Sequence, residues 1–212
     1  MILIVKFWLC VNLFLFSRNL IRIPFKFIVS PLKSQENIQE LIQLLSISSK
    51  THYNTLLKNF NFDAIDFKAF ESWSSKKYTR NCMYKDELFE LILLCWNEGQ
   101  ETSIHNHDGE DCWVYLLEGE MEEVFYSMDS FNHLKKEYSQ SIVPQQLSFM
   151  NDKIGFHKLK NSFTGTSMSL HLYAKPIEQC HFYCEISEQF IERKLKYDTF
   201  SDLVTTTKPA SI

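Results

Sequence analysis

Two histidines one residue apart, His105 and His107, are the side chains best suited to chemistry in this sequence. On an extended strand, residues i and i+2 point to the same face, so both imidazoles would enter one space. On a helix they would point apart. Imidazole nitrogens bind iron, copper, nickel and zinc. The pair therefore indicates a metal site in a β protein, and the alternative is a solvated turn that holds two histidines.

The elements that must position this pair are short strands. After Arg80 the chain consists of β-prone runs separated by turn-like clusters: "LFELILLCW", "CWVYLLEG", "EMEEVFYSM", "QQLSFMND" and "TSMSLHLY". Several short strands in succession predict a β-sandwich or barrel.

Upstream of the strands, helical spacing prevails. Apolar residues from Ile38 to Leu45 predict a first helix from Ser34 to about Ser48, with Ser34 as its N-cap. Two further helical segments are expected at His52–Phe60 and Asp63–Trp73. We therefore expect a mainly β protein whose N-terminal helices pack at one end of a barrel.

Composition limits the class of protein. A chain of 212 residues with 45% apolar content suits one globular domain with short extensions. Its net charge of −4 argues against nucleic acid as a partner, because phosphate binding requires a basic face. No glycine-rich phosphate loop occurs. The six cysteines are scattered among apolar residues, which favours reduced thiols and a cytoplasmic location over a disulfide framework.

Residues 1–33 are apolar and basic, with no acid before Glu36. Their apolar run from Ile2 to Phe16 is shorter than the ~20 residues of a spanning helix. An organelle-targeting peptide, a helix lying on a membrane and an artefactual upstream start all remain open. We expect a helical region at 34–80, a barrel at 81–200 and a C-terminal tail at 201–212.

The flanks of the histidine pair resemble the first motif of the cupin family, through Gly99, Cys112 and Gly119. Cys112 stands where most cupins have a metal-binding glutamate. The second cupin motif is similar to "HKLKN", which adds His157 as a third ligand and Asn161. The resemblance implies a cupin-type jelly-roll barrel with three neutral imidazoles and no carboxylate. Such a site favours an anionic ligand such as a thiolate.

Four longer stretches resemble one family, the eukaryotic-type cysteine dioxygenases. They are "YTRN", "LLCWNEGQETSIHNHDGEDC", "FMNDKIGFHKLKN" and "SLHLYAKPIEQCH", which together cover residues from about Tyr78 to His181. The resemblance implies one Fe(II) per chain, held by His105, His107 and His157. It also implies a thioether cross-link between Cys112 and Tyr173.

Further site residues follow from the same resemblance. Arg80, with Tyr78 beside it, is expected to hold the substrate carboxylate, and Ser169, His171 and Tyr173 form a catalytic chain. These three alternate with apolar residues in a predicted strand, so they share one face. Where the family has Ser-Pro-Pro, this chain has Ala174, Lys175 and Pro176. A cis bond before Lys175 would cost ~2.5–4 kcal/mol, so we expect it to be trans.

The implied activity is oxidation of L-cysteine by O₂ to cysteine sulfinate, by a monomer without an organic cofactor. Membrane association through residues 1–33 stays open. Two alternatives remain. One is a related thiol dioxygenase acting on 3-mercaptopropionate, cysteamine or an N-terminal cysteine, and the other is a cupin that senses thiols without turnover. Arg80 and Cys112 speak against the mercaptopropionate enzymes.

Overall fold

A computed structural model describes residues 36–201 of the chain. The expectations for residues 1–33, for the Ser34 N-cap and for most of the C-terminal tail lie outside this range. The first predicted helix is confirmed as α1, Glu36–Ile47. The second is confirmed as a 3₁₀ turn, Lys50–His52, that leads into α2, Tyr53–Asn59. Within residues 36–201, neither helix is long and apolar enough to cross a membrane.

The helix predicted at Asp63–Trp73 is wrong. Its place is taken by two 3₁₀ turns, Phe62–Ala64 and Phe67–Ala69. The Asp66 carboxylate accepts a hydrogen bond of 3.1 Å from the backbone N–H of Lys68, and Asp66 itself is extended. Such a local bond offers the backbone an alternative to the helical pattern, so the segment turns twice instead of continuing.

Eleven strands follow within the described residues, and each of the five predicted runs contains one of them. Their bounds are β1 Thr79–Lys85, β2 Glu90–Trp96, β3 Cys112–Glu118, β4 Met121–Met128, β5 Leu134–Ile142, β6 Leu147–Met150, β7 Phe156–Asn161, β8 Ser167–Tyr173, β9 Gln179–Cys184, β10 Gln189–Lys194 and β11 Thr199–Phe200.

The strands form two facing layers. One is a six-stranded sheet in the order β11-β1-β2-β8-β3-β6. The other combines a three-stranded sheet, β5-β4-β7, with the β10-β9 hairpin. His105 joins these two pieces, because it forms antiparallel bridges to His157 in β7 and to Phe182 in β9. The predicted mainly β, cupin-type barrel with N-terminal helices is confirmed.

The six-stranded sheet separates two apolar clusters by strict alternation. Outward-facing residues of β2, β3 and β8, such as Leu91, Trp113 and Leu170, pack with Leu41 and Leu57 of the two helices. The helices therefore cover the outer face of this sheet. At ~25 cal/mol per Å² of apolar surface, burying such a face is the main stabilising contribution available to short helices.

The inner face of the same sheet carries the polar residues of the site. Cys112, Tyr173, Ser169 and His171 point into the barrel among apolar neighbours such as Ile92. Successive side chains on a strand point to opposite faces of the sheet. Because one set of side chains packs against the helices, the alternating set must point into the barrel. The predicted common face of Ser169, His171 and Tyr173 follows from this alternation.

Candidate metal centre

The structure brings the three predicted histidines together inside the barrel. The possible ligand atoms of His105, His107 and His157 all lie within 4.8 Å of one another. The exposed fractions are 8% for His105 and 1% for each of the other two. His157 lies on β7, and its backbone exchanges hydrogen bonds of 3.0 and 3.1 Å with that of His105. Residues more than fifty positions apart in sequence are therefore held as direct neighbours.

The His-x-His pair does not lie on a regular strand. His105 forms isolated bridges only, and His107 follows in irregular structure. The Asp152 carboxylate holds this loop, because it accepts the backbone N–H of His107 at 2.7 Å and that of Gly109 at 2.8 Å. The two imidazoles still converge, with ring centroids 5.3 Å apart. Extended local geometry, rather than a full strand, is enough to point them into one space.

Hydrogen bonds determine which nitrogen of two histidines faces the cluster. His105 Nδ1 lies 2.9 Å from the carbonyl oxygen of Ser103, and His157 Nδ1 lies 2.7 Å from a carboxylate oxygen of Glu123. Both partners accept hydrogen bonds only, so Nδ1 carries the proton in each ring. The lone pair of each ring is then on Nε2, which is the form that binds a metal ion.

Burial favours the neutral form of His105 and His107, and within the described part of the chain the cluster has buried nitrogens without partners. Burial, followed by the neighbouring His157, lowers the pKa of His105 to about 3, and the same causes hold the pKa of His107 well below its ordinary value. Both nitrogens of His107 and Nε2 of His157 are buried without a hydrogen-bond partner within residues 36–201. Buried polar atoms without partners are costly. Three converging imidazoles with free nitrogens therefore fit a divalent metal ion, which would satisfy them.

Cys112 and Tyr173 are direct cross-strand neighbours in the β3–β8 register. The tyrosine is also a side-chain hydrogen-bond partner of the thiol. Burial raises the pKa of both groups, so neither is ionised at neutral pH. Opposed residues on antiparallel strands have Cβ atoms ~4.5–5.5 Å apart, which is within reach of a thioether between sulfur and the phenol ring. The two predicted cross-link partners are thus brought together.

Arg80 and Tyr78 line the same narrow cavity as His105, His171 and Tyr173. Tyr173 is a hydrogen-bond partner of the Arg80 guanidinium. Burial lowers the pKa of Arg80, but Tyr173, Tyr78 and Glu90 together raise it, and the pKa lies above its ordinary value. Nε and Nη2 of Arg80 are buried without a hydrogen-bond partner within residues 36–201. Two donors on a permanent cation are therefore available to an anion in this cavity.

Ser169 and His171 are hydrogen-bonded at 3.0 Å, and the His171 ring stacks against that of Tyr173 with centroids 6.4 Å apart. Trp96 adds a contact that the sequence analysis did not assign, because its indole N–H donates to Ser169 Oγ at 2.9 Å. The Trp96 ring also stacks on Tyr78 at 4.5 Å. This tryptophan thus joins the Ser169 side of the site to the Arg80 side.

Two carboxylates, Glu123 and Asp152, were also missed. Each contacts a histidine of the cluster from a strand or loop remote in sequence. Neither lies in a spacing pattern that would mark it. The strand and loop that bear them were predictable, but the contacts follow only from the layer topology.

The turn after Tyr173 has the trans peptide geometry that the sequence predicted. No cis peptide bond occurs among residues 36–201, and Lys175 has a φ of 111°, in the left-handed region. The preceding Ala174 donates its N–H to the carbonyl of Asp111 at 2.9 Å. Arg80 and Tyr78 line the cavity with His105 although Lys175 stands where the resemblance implied a proline.

Comparison with known proteins agrees with this geometry. The family model described as cysteine dioxygenase type I matches residues 28–186, well over half of the chain. Human cysteine dioxygenase type 1 is 30% identical over 132 residues, which cover 60% of this chain and 66% of the human protein. The zebrafish protein of the same name is 29% identical over 153 residues, which cover 70% of this chain and 76% of that one. The match to the human relative thus spans slightly less than two thirds of its length.

Solved structures give weaker likenesses. A Thermus thermophilus protein is 22% identical, with a TM-score of 0.43 over 52% of this chain and 94% of that one. A Klebsiella pneumoniae protein with a double-stranded β-helix domain is 12% identical, with a TM-score of 0.44 over 62% and 96%. At these scores neither has weight for function. The family model and the curated relatives are sufficient: the chain belongs to the cysteine dioxygenase type I family.

Proposed function

We propose that this chain is a thiol dioxygenase that converts L-cysteine and O₂ to cysteine sulfinate, with one Fe(II) bound by His105, His107 and His157. One observation supports it above the others. Arg80, which has two nitrogens without a partner among the described residues, lines one cavity with His105, and the possible ligand atoms of His105 lie within 4.8 Å of those of His107 and His157. A metal ion and a carboxylate can therefore be bound side by side, as an amino acid with a thiol requires.

The metal chemistry needed is limited. When bound, Fe(II) would supply open coordination positions and a spin-allowed route between a thiolate and O₂. Imidazole suits several divalent ions, so the choice of iron rests on the family and not on the donor set. The protein residues supply the rest: they bind, orient and neutralise the substrate.

Substrate orientation falls to Arg80. Its carboxyl-directed role is favoured because the guanidinium makes no salt bridge with an acid within residues 36–201. Glu90, a buried acid whose charge acts on Arg80, is instead bound by the Tyr197 hydroxyl and by the backbone N–H of Ile177. The cation is therefore free to bind a substrate carboxylate in a bidentate manner, which arginine geometry permits.

Tyr173 lies between the metal side and the arginine side of the cavity. Its ring centroid is 5.9 Å from that of His107, and its hydroxyl is a hydrogen-bond partner of Arg80. The raised pKa of the phenol keeps its proton available as a donor. A thioether to Cys112 would fix the ring so that this proton points at the bound substrate. The His171 ring packs against the Tyr173 ring, and Ser169 is hydrogen-bonded to His171.

The test is aerobic turnover of a thiol panel by iron-loaded protein, analysed by mass spectrometry. The panel contains L-cysteine, cysteamine, 3-mercaptopropionate and a peptide with N-terminal cysteine. We expect cysteine to be preferred and to gain two oxygen atoms, both from isotopically labelled O₂. Preference for a thiol without a carboxylate would refute the proposed substrate, and binding without any sulfinate would favour a thiol sensor.

A further inference from the structure

A buried carboxylate contacts the histidine cluster from behind. Glu123 lies on β4, with none of its side chain exposed, and its Oε1 is 2.7 Å from Nδ1 of His157. His157 is itself 1% exposed. No sequence motif marks this glutamate. Because ionised carboxylates are almost never fully buried without a partner, its presence here needs a physical reason.

The other contacts of Glu123 are neutral. Oε2 accepts hydrogen bonds from Gln140 Nε2 at 2.8 Å and from Ser148 Oγ at 2.5 Å. Within residues 36–201, no lysine or arginine lies within salt-bridge distance of this acid. Among the described residues, His157 is therefore the only ionisable side chain in contact with this carboxylate.

A purely structural role would not require a charge. Glu123 ties β4 to β5 through Gln140 and to β6 through Ser148. A glutamine could keep the same number of bonds after rotation of the Ser148 hydroxyl and reversal of the Gln140 amide. An acceptor-only carboxylate does one thing that an amide does less well: it holds the proton of His157 on Nδ1 and leaves Nε2 free.

We infer that Glu123 is a positioning residue for the metal ion. Through the Nδ1–H of His157 it orients Nε2 as a ligand atom, and it supplies one negative charge to a centre whose direct ligands are all neutral. The inference rests on the proposed function, since it concerns the same three-histidine ion.

This arrangement explains how the site tolerates Cys112 in the place of a ligating glutamate. A carboxylate bound directly to the metal would occupy a coordination position. A carboxylate one imidazole away makes His157 a stronger donor without occupying any position. The positions left open remain available to a substrate thiolate and amine. The three proposed ligands carry no negative charge, and Glu123 supplies one through its hydrogen bond with His157.

Metal affinity of Glu123→Gln tests the inference without any turnover. Apo protein is titrated with Co(II) or Fe(II) against a chelator of known affinity, and the visible spectrum of the Co(II) form is recorded. We expect affinity to fall roughly 10- to 100-fold, the usual loss for a carboxylate that hydrogen-bonds a ligand histidine. Glu122→Gln, the neighbouring acid on the same strand, is the matched control and should bind metal like the wild type.

A double-mutant cycle with His157→Ala tests whether Glu123 acts on metal affinity through His157. Once His157 is gone, Glu123→Gln should cause no further loss of affinity, because the two side chains act as one unit. An equal loss in both backgrounds would overturn the inference. Unchanged metal affinity of Glu123→Gln, accompanied by lower thermal stability of the apo protein, would also overturn the inference. Glu123 would then have only the structural role of connecting β4 to β5 and β6.

A measurement on the wild type guards against a variant that does not fold. Nitrogen NMR of the zinc-loaded protein should show His157 protonated at Nδ1 and coordinated through Nε2. Coordination through Nδ1 would overturn the inference even if the proposed function holds. If the wild type binds no divalent ion at all, the proposed function fails and this inference fails with it.

Discussion

Replacing Arg80 by alanine separates substrates that carry a carboxylate from those that do not. If cysteine is the substrate, its carboxylate occupies the two free donors of the guanidinium. Cysteamine has the same thiol and amine but no carboxylate. We therefore expect Arg80→Ala to lower kcat/KM for cysteine strongly and to change the trace activity on cysteamine little.

The magnitude follows from the state of the guanidinium. Nε and Nη2 are already buried and unpartnered, so substrate binding requires little further desolvation of the protein side. Hydrogen bonds to charged groups contribute ~1.5–3 kcal/mol. At ~1.4 kcal/mol for each factor of ten, the loss in kcat/KM for cysteine is roughly 10- to 100-fold. Arg80→Lys should lie between, nearer to alanine, because an ammonium cannot donate in a bidentate manner.

The assay is steady-state sulfinate formation from both thiols at matched iron content. Lys85→Ala is the matched control, because Lys85 and Arg80 both lie against the ring of Tyr197, at 5.6 and 5.8 Å. Lys85 does not line the cavity. A folding defect would lower the rates with both thiols alike. Intact cysteine turnover in Arg80→Ala would refute the assignment of Arg80 and favour an amine-directed thiol dioxygenase.

Three further predictions concern the metal side. Replacing any one of the clustered histidines by alanine should weaken the metal affinity enough that iron, measured by metal analysis of the purified protein, is lost together with activity, and two such variants with full turnover would contradict the proposed ligands. Wild-type protein should migrate as two bands on a denaturing gel and Cys112→Ala as one, with slower but measurable turnover; peptide maps that never link Cys112 to Tyr173 would exclude the thioether. Asp152→Asn should weaken metal binding roughly fivefold through the loss of about 1 kcal/mol of loop hydrogen bonding, whereas Asp129→Asn, which caps a remote turn, should not.

Patterns of period two were sufficient to predict the inner face of the barrel. The alternation in β8 indicated that Ser169, His171 and Tyr173 share one side, and the structure has them there. Strand β5 lacked such a signal, because seven of its nine residues are exposed and polar residues fill it. The helix expected at Asp63–Trp73 failed for another local reason: a single aspartate side chain competes with the helical pattern.

Contacts made between layers could not be predicted. Glu122 and Glu123 are identical in type and adjacent in sequence, yet only the second is buried against His157. Asp152 reaches the backbone of His107 across 45 positions. Both contacts depend on which strands become neighbours, and no local pattern carries that information.

The cross-strand pairing of Cys112 and Tyr173 has a consequence for the stability of the protein during turnover. A thioether between them would close a loop of about sixty residues. In the chain-entropy treatment of cross-links, such a loop stabilises the folded state by about 4 kcal/mol, through restriction of the unfolded chain. If the bond forms during turnover, each molecule becomes more resistant to heat as it works. A single preparation would then contain molecules with and without the thioether. Gentle heating would unfold the uncross-linked molecules first and so separate those that had not turned over from those that had.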